Sequence, residues 1–148
     1  AGGAVNQARQ DGATPLIMAS QQGHLDIVRL LLEAVAAINQ ASARGATPLY
    51  MACQNGYVEI VRLLLEASAA LNQARQDGAT PLLIASDKGH LEIARLLLEV
   101  GAAVDRAMSD GTTPLSAASL TGEIECARLL LEAGAAVNQA DSEGRTPL

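Results

Sequence analysis

Asp11-Gly12-Ala13-Thr14-Pro15-Leu16 is written five times along this chain. It returns as Arg44-Gly45-Ala46-Thr47-Pro48-Leu49, as Asp77-Gly78-Ala79-Thr80-Pro81-Leu82, as Asp110-Gly111-Thr112-Thr113-Pro114-Leu115, and as Glu143-Gly144-Arg145-Thr146-Pro147-Leu148. The threonines fall at 14, 47, 80, 113 and 146, a step of 33 residues with no insertion. A period of this length marks an array of small stacked units in place of one mixed core. Each copy reads as a helix start. Gly12 permits the positive φ of a tight turn. The Thr14 hydroxyl can cap a helix, and Pro15 suits the first helical position, where no amide donor is missed. Leu16 opens a buried face.

Outward from this stretch, the 148 residues divide into the end of one unit (1–10), four full units (11–43, 44–76, 77–109 and 110–142) and the start of another (143–148). Residues 1–10 match the unit ends at Val100–Asp105 and Ala133–Asn138, so the natural array is expected to continue on both sides. In each unit a short first helix, from Thr14 to about Gln22, is expected to stop at Gly23 or its equivalents Gly56, Gly89 and Gly122. A second helix should run from about His24 to Ala34. Its Leu25, Val28, Leu31 and Leu32 recur at helical spacing, and Ile27 and Leu30 widen the apolar face. The alternation at Ala37-Ile38-Asn39 points to a hairpin-like arm in the returning loop.

Composition narrows the function. The chain is 49% hydrophobic but only 1% aromatic, so Ala and Leu must build the core. Its net charge of -6 disfavours non-specific binding to nucleic acid or anionic membranes, which needs clustered Lys and Arg. Two Tyr are the only aromatics, so a base-stacking platform is absent too. Cys53 and Cys126 lie in non-adjacent units within apolar patterns and read as small buried hydrophobes without a disulfide. Unpaired thiols fit a reducing compartment, so an intracellular, cytoplasmic location is expected. The sequence shows no transmembrane stretch, phosphate loop, metal-spaced Cys/His set or nucleophile triad, so neither catalysis nor a cofactor is expected.

Gly-x-Thr-Pro-Leu, Gly-His-Leu-Asp-Ile-Val-Arg-Leu-Leu-Leu-Glu (residues 23–33) and Gly-Ala-Ala-Val-Asn (134–138), in fixed register over the whole chain, resemble the ankyrin repeat. The resemblance implies an all-α solenoid of paired antiparallel helices, with hairpin-like loops projecting at right angles, and a protein-binding scaffold without catalysis. There are departures. The family's His after Thr-Pro-Leu is replaced by Ile17, Tyr50, Leu83 and Ser116. Its loop Asp is replaced by Ala4, Ala37, Ala70, Ala103 and Ala136. The Gly that ends the second helix is kept as Gly2, Gly101 and Gly134 but becomes Val35 and Ser68.

Residues that recur in phase read as scaffold. His24 and His90, at second-helix starts, read as helix-start hydrogen bonders. The sets Asp26-Arg29-Glu33, Glu59-Arg62-Glu66, Glu92-Arg95-Glu99 and Glu125-Arg128-Glu132 read as solvated ion-pair strips. Asn6, Asn39, Asn72 and Asn138, with Asp105 in phase, should tie loop backbones together. Ile17, Tyr50 and Leu83 should line up, either as packing between units or as an exposed apolar stripe that grips a partner.

By family analogy, binding falls on loop tips and the exposed side of the first helices, where residues break phase. The candidates are Gln10, Asp11, Ala13, Gln21 and Gln22; Ala43, Arg44, Ala46, Gln54 and Asn55; Gln76, Asp77, Ala79, Asp87 and Lys88; and Ser109, Asp110, Thr112, Leu120 and Thr121. One alternative is a structural array that assembles with itself. Another is an engineered or consensus-like array without a natural ligand, as the near-duplicates Asn6–Leu16 and Asn72–Leu82 allow. The ends carry no polar cap: Ile27, Val28 and Leu31 at one end and Ala127, Leu130 and Leu131 at the other should be open, followed only by Thr146-Pro147-Leu148. Head-to-tail self-association is the expected way to cover them.

Overall fold

The computed structural model describes residues 2–146. Ala1, Pro147 and Leu148 lie outside the described residues, so the last Thr-Pro-Leu is seen only as far as Thr146. The described residues are all-α: a single turn α1 (Gly2–Val5), then four helix pairs. The pairs are α2 (Pro15–Gln22) with α3 (Leu25–Glu33), α4 (Pro48–Asn55) with α5 (Val58–Glu66), α6 (Pro81–Asp87) with α7 (Leu91–Glu99), and α8 (Pro114–Thr121) with α9 (Ile124–Glu132).

The helix starts form as the repeated stretch dictates. Thr14 stays extended (φ -85°, ψ 164°), and its hydroxyl accepts the Ile17 N–H at 3.2 Å. Thr47, Thr80 and Thr113 do the same for α4, α6 and α8. In α8 the family's His is replaced by Ser116, whose Oγ also takes the Thr113 N–H at 2.7 Å, closing a reciprocal cap. The in-phase glycines after the first helices are left-handed, with Gly23 at φ 80°.

First helices stack on first helices and second on second, with the first-helix row in the more extensive contact. The array therefore curves with α2, α4, α6 and α8 on its inner side. The core runs along the seam. Leu16, Leu49, Leu82 and Leu115 are buried from the first helices, and Val28, Val61, Ala94, Leu64, Leu97 and Leu130 from the second. Cys53 and Cys126 are buried within it, and burial pushes both thiols up, away from the reactive thiolate.

A polar ladder joins the loops. The side-chain oxygens of Asn6, Asn39, Asn72 and Asp105 accept the N–H groups of Ala37, Ala70, Ala103 and Ala136, one unit on, at 2.7–3.0 Å. Asp105 serves as well as Asn because only an acceptor is required. Each tip closes as a hairpin, with Arg9 N–H on the Ala13 carbonyl at 3.0 Å. It then bonds the next tip: Ala43 N–H to the Asp11 carbonyl, Gln76 to Arg44, Ser109 to Asp77, and Ser142 to Asp110, at 2.6–3.0 Å. The hairpin is centred on these tips; Ile38 and Asn39 lie in a turn.

Several expectations are corrected. The tail at Gly2 does not repeat the left-handed helix end of Gly101 and Gly134; Gly2–Val5 coils into α1, without a second helix to close. His24 and His90 do not cap their own helices. The His90 ring packs on Gly56 of the previous unit, and its Nε2 donates to the Gln54 carbonyl at 3.0 Å. At the first end Ile27 and Leu30 are open, whereas Val28 is buried. Ile27's counterparts Ile60, Ile93 and Cys126 are buried, so that position faces the preceding unit. Val28's counterpart Ala127 is half-exposed only at the far end, so that position faces the following unit. By the same logic Leu130 is buried, and the open residues at the far end are Leu120, Ile124 and Leu131.

Val35 and Ser68 hold the left-handed conformation of the glycines they replace, at φ 60° and 68°. A β-branched residue is strained there, and the Val35 side chain is 80% exposed, so its removal forfeits little packing. Val35→Gly is expected to stabilise the fold by about 1 kcal/mol, the lost strain outweighing the entropy of Gly. Urea titration checks this, and an unchanged or lower midpoint refutes it.

Candidate functional site

The phase-breaking residues of the first two units converge on one groove of about 440 Å³ on the inner side of the curve. Asp11, Ala43 and Arg44 supply the hairpin wall, Gln21 and Gln54 the helix wall, and Ile17 and Met51 line it as well. The groove exists because successive hairpins are pinned backbone to backbone while first helices stack beside them.

Four candidates are not surface groups. Ala13, Ala46, Ala79 and Thr112 are buried. Their position sits beneath the hairpin tip, where the carbonyl closes the turn; Ala13 and Ala46 contribute only to the groove's lining. Others face solvent but are tied to the scaffold. Asp11, Asp77 and Asp110 accept the N–H two residues on at 2.9–3.0 Å. The Thr112 N–H holds the Asp110 carboxyl below its ordinary range. Asn55 Nδ2 bridges the Gln21 and Met51 carbonyls, Gln76 Nε2 binds the Ala43 carbonyl at 2.7 Å, Ser109 Oγ binds the Asp77 carbonyl, and Thr121 Oγ1 turns back on Ala117. Gln10, Gln21, Gln22, Ala43, Arg44, Gln54, Asp87, Lys88 and Leu120 carry no such side-chain tie among the described residues. Leu120, 66% exposed, borders a separate hollow of about 130 Å³ with Asp141 and Arg145.

The tip that carries Arg44 has lost the turn-closing aspartate. Ser42 takes over that role, its Oγ accepting the Ala46 N–H at 3.2 Å. Asp141 does likewise in the last hairpin, accepting the Arg145 N–H at 2.9 Å beside Glu143.

Arg75 is missing from the candidates read by family analogy, although its position varies from unit to unit, as Arg9, Ser42, Arg75, Met108 and Asp141. It lies 5.4 Å over the Tyr50 ring, 3.4 Å from the Tyr50 hydroxyl and 3.6 Å from Asp77. Burial raises the Tyr50 hydroxyl against the opposing pull of Arg75. Ile17, Tyr50 and Leu83 are all buried, so they pack between units and present no apolar stripe.

The outer side differs. On the second helices Arg29, Arg62 and Arg128 pair with the acid three residues before, at 3.5–3.8 Å, and Arg62 also reaches Glu92 of the next unit at 2.8 Å. Arg95 and the glutamates Glu33, Glu66, Glu99 and Glu132 make no ion pair among the described residues, so the strips are only partly engaged. Such exposed pairs contribute about 0.2–0.5 kcal/mol each. Among the described residues no His, Cys, Asp and Glu are grouped to hold a metal ion, and no helix is long and apolar enough to cross a membrane.

No curated protein matches the chain significantly. The family model for ankyrin repeats in three copies matches residues 1–75 and again 67–141. With nearly the whole length so matched, and the capped helix pairs recurring in register, this chain belongs to the ankyrin-repeat family.

Proposed function

We propose that the chain is a non-catalytic scaffold that binds a protein partner along its inner face, through hairpin tips and the exposed side of the first helices. Ankyrin repeats are in general protein–protein interaction modules. The observation that supports this reading here is the groove between Arg44 and the glutamines at 21 and 54, whose polar side chains serve no fold contact. Partners captured from source cells should bind Gln21→Arg/Gln54→Arg at least tenfold more weakly, at an unchanged melting temperature. They should bind the outer-face control Glu33→Lys normally. Binding lost only in the control would overturn the assignment of the face.

End-to-end self-association is a second reading, carried by Ile27 and Leu30 at one end and Leu120, Ile124 and Leu131 at the other. Gly23, Gly56 and Gly89 meet Tyr57, His90 and Glu123 of the next unit, whereas Gly122 meets nothing. A second copy added in register meets an obstacle, however. Residues 1–16 and 133–148 are the same segment of the repeat, identical at 11 of 16 positions, and would compete for one place. Association therefore requires one of the two to give way. Light scattering should show mass rising with concentration, and more steeply after residues 133–148 are deleted. A constant monomer mass for both would end this reading.

A further inference from the structure

We propose that the partner lays an extended segment along the groove and presents an acidic side chain to Arg44; this rests on the reading of the inner face as the binding surface. Four arginines sit at hairpin tips. Arg9 lies 4.0 Å from Asp11, Arg75 lies 3.6 Å from Asp77, and Arg145 reaches both Asp141 and Glu143. Arg44 is exposed and has no carboxylate within ion-pair distance among the described residues. It stands where the other tips carry Asp11, Asp77, Asp110 and Glu143, so it reverses the charge that the repeat prescribes. The fold does not require that reversal, because Ser42 already closes the tip.

The charge is local. The chain as a whole is at -6, so long-range attraction does not favour an acidic partner. Complementarity must come from contact, where a guanidinium offers a carboxylate two parallel donors. Asp11 shares the groove, but Arg9 lies beside it and its Oδ1 is engaged by the Ala13 N–H. Opposite Arg44, the amides of Gln21 and Gln54 each offer a donor and an acceptor, which suits the peptide groups of an extended backbone. They belong to adjacent first helices, and packed helices lie about 8–10 Å apart. Extended chain rises about 3.3 Å per residue, so the two amides address peptide groups about three residues apart. Met51, half-buried at the base of the groove, gives a short apolar side chain a surface beside them.

The test uses a displayed library of random twelve-residue peptides, selected on the full chain and re-measured as synthetic peptides. Arg44→Asp restores the residue of the other tips and so keeps the fold, which its melting curve verifies. Selected peptides should carry Asp or Glu at one fixed position. They should bind Arg44→Asp about tenfold or more weakly, and weaken as salt is raised. Peptides that are weakened by Gln21→Arg/Gln54→Arg, yet lack the acid or bind Arg44→Asp equally, would overturn the acidic partner and leave the inner face intact as a binding surface. Peptides indifferent to all these substitutions, or a library yielding no binder, would overturn both.

Discussion

Tyr50→Ala should cost about 3–5 kcal/mol, in the range of other large aromatic truncations in cores. Tyr50 is the largest fully buried side chain in the array and lies where the family places a hydrogen-bonding His. Its removal leaves a cavity between α4 and its neighbours and strips Arg75 of the ring beneath its guanidinium. Since Arg75 also forms the closing hairpin bond to Ala79, the next tip should loosen with it. Tyr50→Phe separates the contributions. It keeps the ring and loses only a hydroxyl contact of 3.4 Å, so a loss of about 0.5–1.5 kcal/mol is expected. Leu83→Ala should fall between, at about 2–4 kcal/mol. Chemical denaturation of the three variants decides the matter. Near-native stability of Tyr50→Ala together with lost binding would reinstate the apolar grip that burial argues against.

Gly78→Ala should cost about 3 kcal/mol, far more than the same change at Gly101. Both glycines have positive φ, 88° and 98°, so both alanines are strained by about 1–2 kcal/mol. Only at Gly78 is there also a collision: a methyl there would lie 2.9 Å from Met108 Cα and 3.0 Å from Ser109 N. That nitrogen donates to the Asp77 carbonyl, so the methyl pushes apart the bond that pins one hairpin to the next. At Gly101 nothing lies within 4 Å, and strain acts alone. Amide exchange should locate the difference. Ser109 should lose protection in Gly78→Ala and keep it in Gly101→Ala. Equal costs at the two sites would show that backbone strain alone governs these glycines.

Phase along the sequence carried most of the fold. The Thr caps, the Pro first turns, the glycine stops and the Asn-to-backbone ladder are local or one unit apart, and a fixed step of 33 residues specifies them completely. What phase does not specify is direction. Ile27 and Val28 are adjacent and equally apolar, yet one faces the preceding unit and the other the following one. Only a free end reveals the difference. The same gap hid the role of His90, whose partner Gln54 lies in the unit before it. The binding candidates suffered for another reason. Ala13, Ala46 and Ala79 recur in phase beneath the hairpin tips, where the carbonyl closes a turn, whereas Gln21 and Gln54 give way to Asp87 and Leu120 and are free amides. Arg75 was legible only as one residue of a variable position, shared with Arg9; its purpose required the ring of Tyr50, 25 residues earlier.

The equivalence of residues 1–16 and 133–148 makes length an adjustable quantity. If residue 132 of one copy were joined directly to residue 1 of another, Thr14 of the second would fall one full step after Thr113 of the first, and the count would run on unbroken. The duplicated segment would then occur once, the His24 ring would arrive opposite Gly122, Ile27 would be buried like Ile60 and Ile93, and Leu30, Ile124 and Leu131 would be half-buried like their counterparts in the inner units. Because each unit answers only to its neighbours, the free energy of such a tandem should grow by a constant increment per unit, with the ends entering once as a fixed offset.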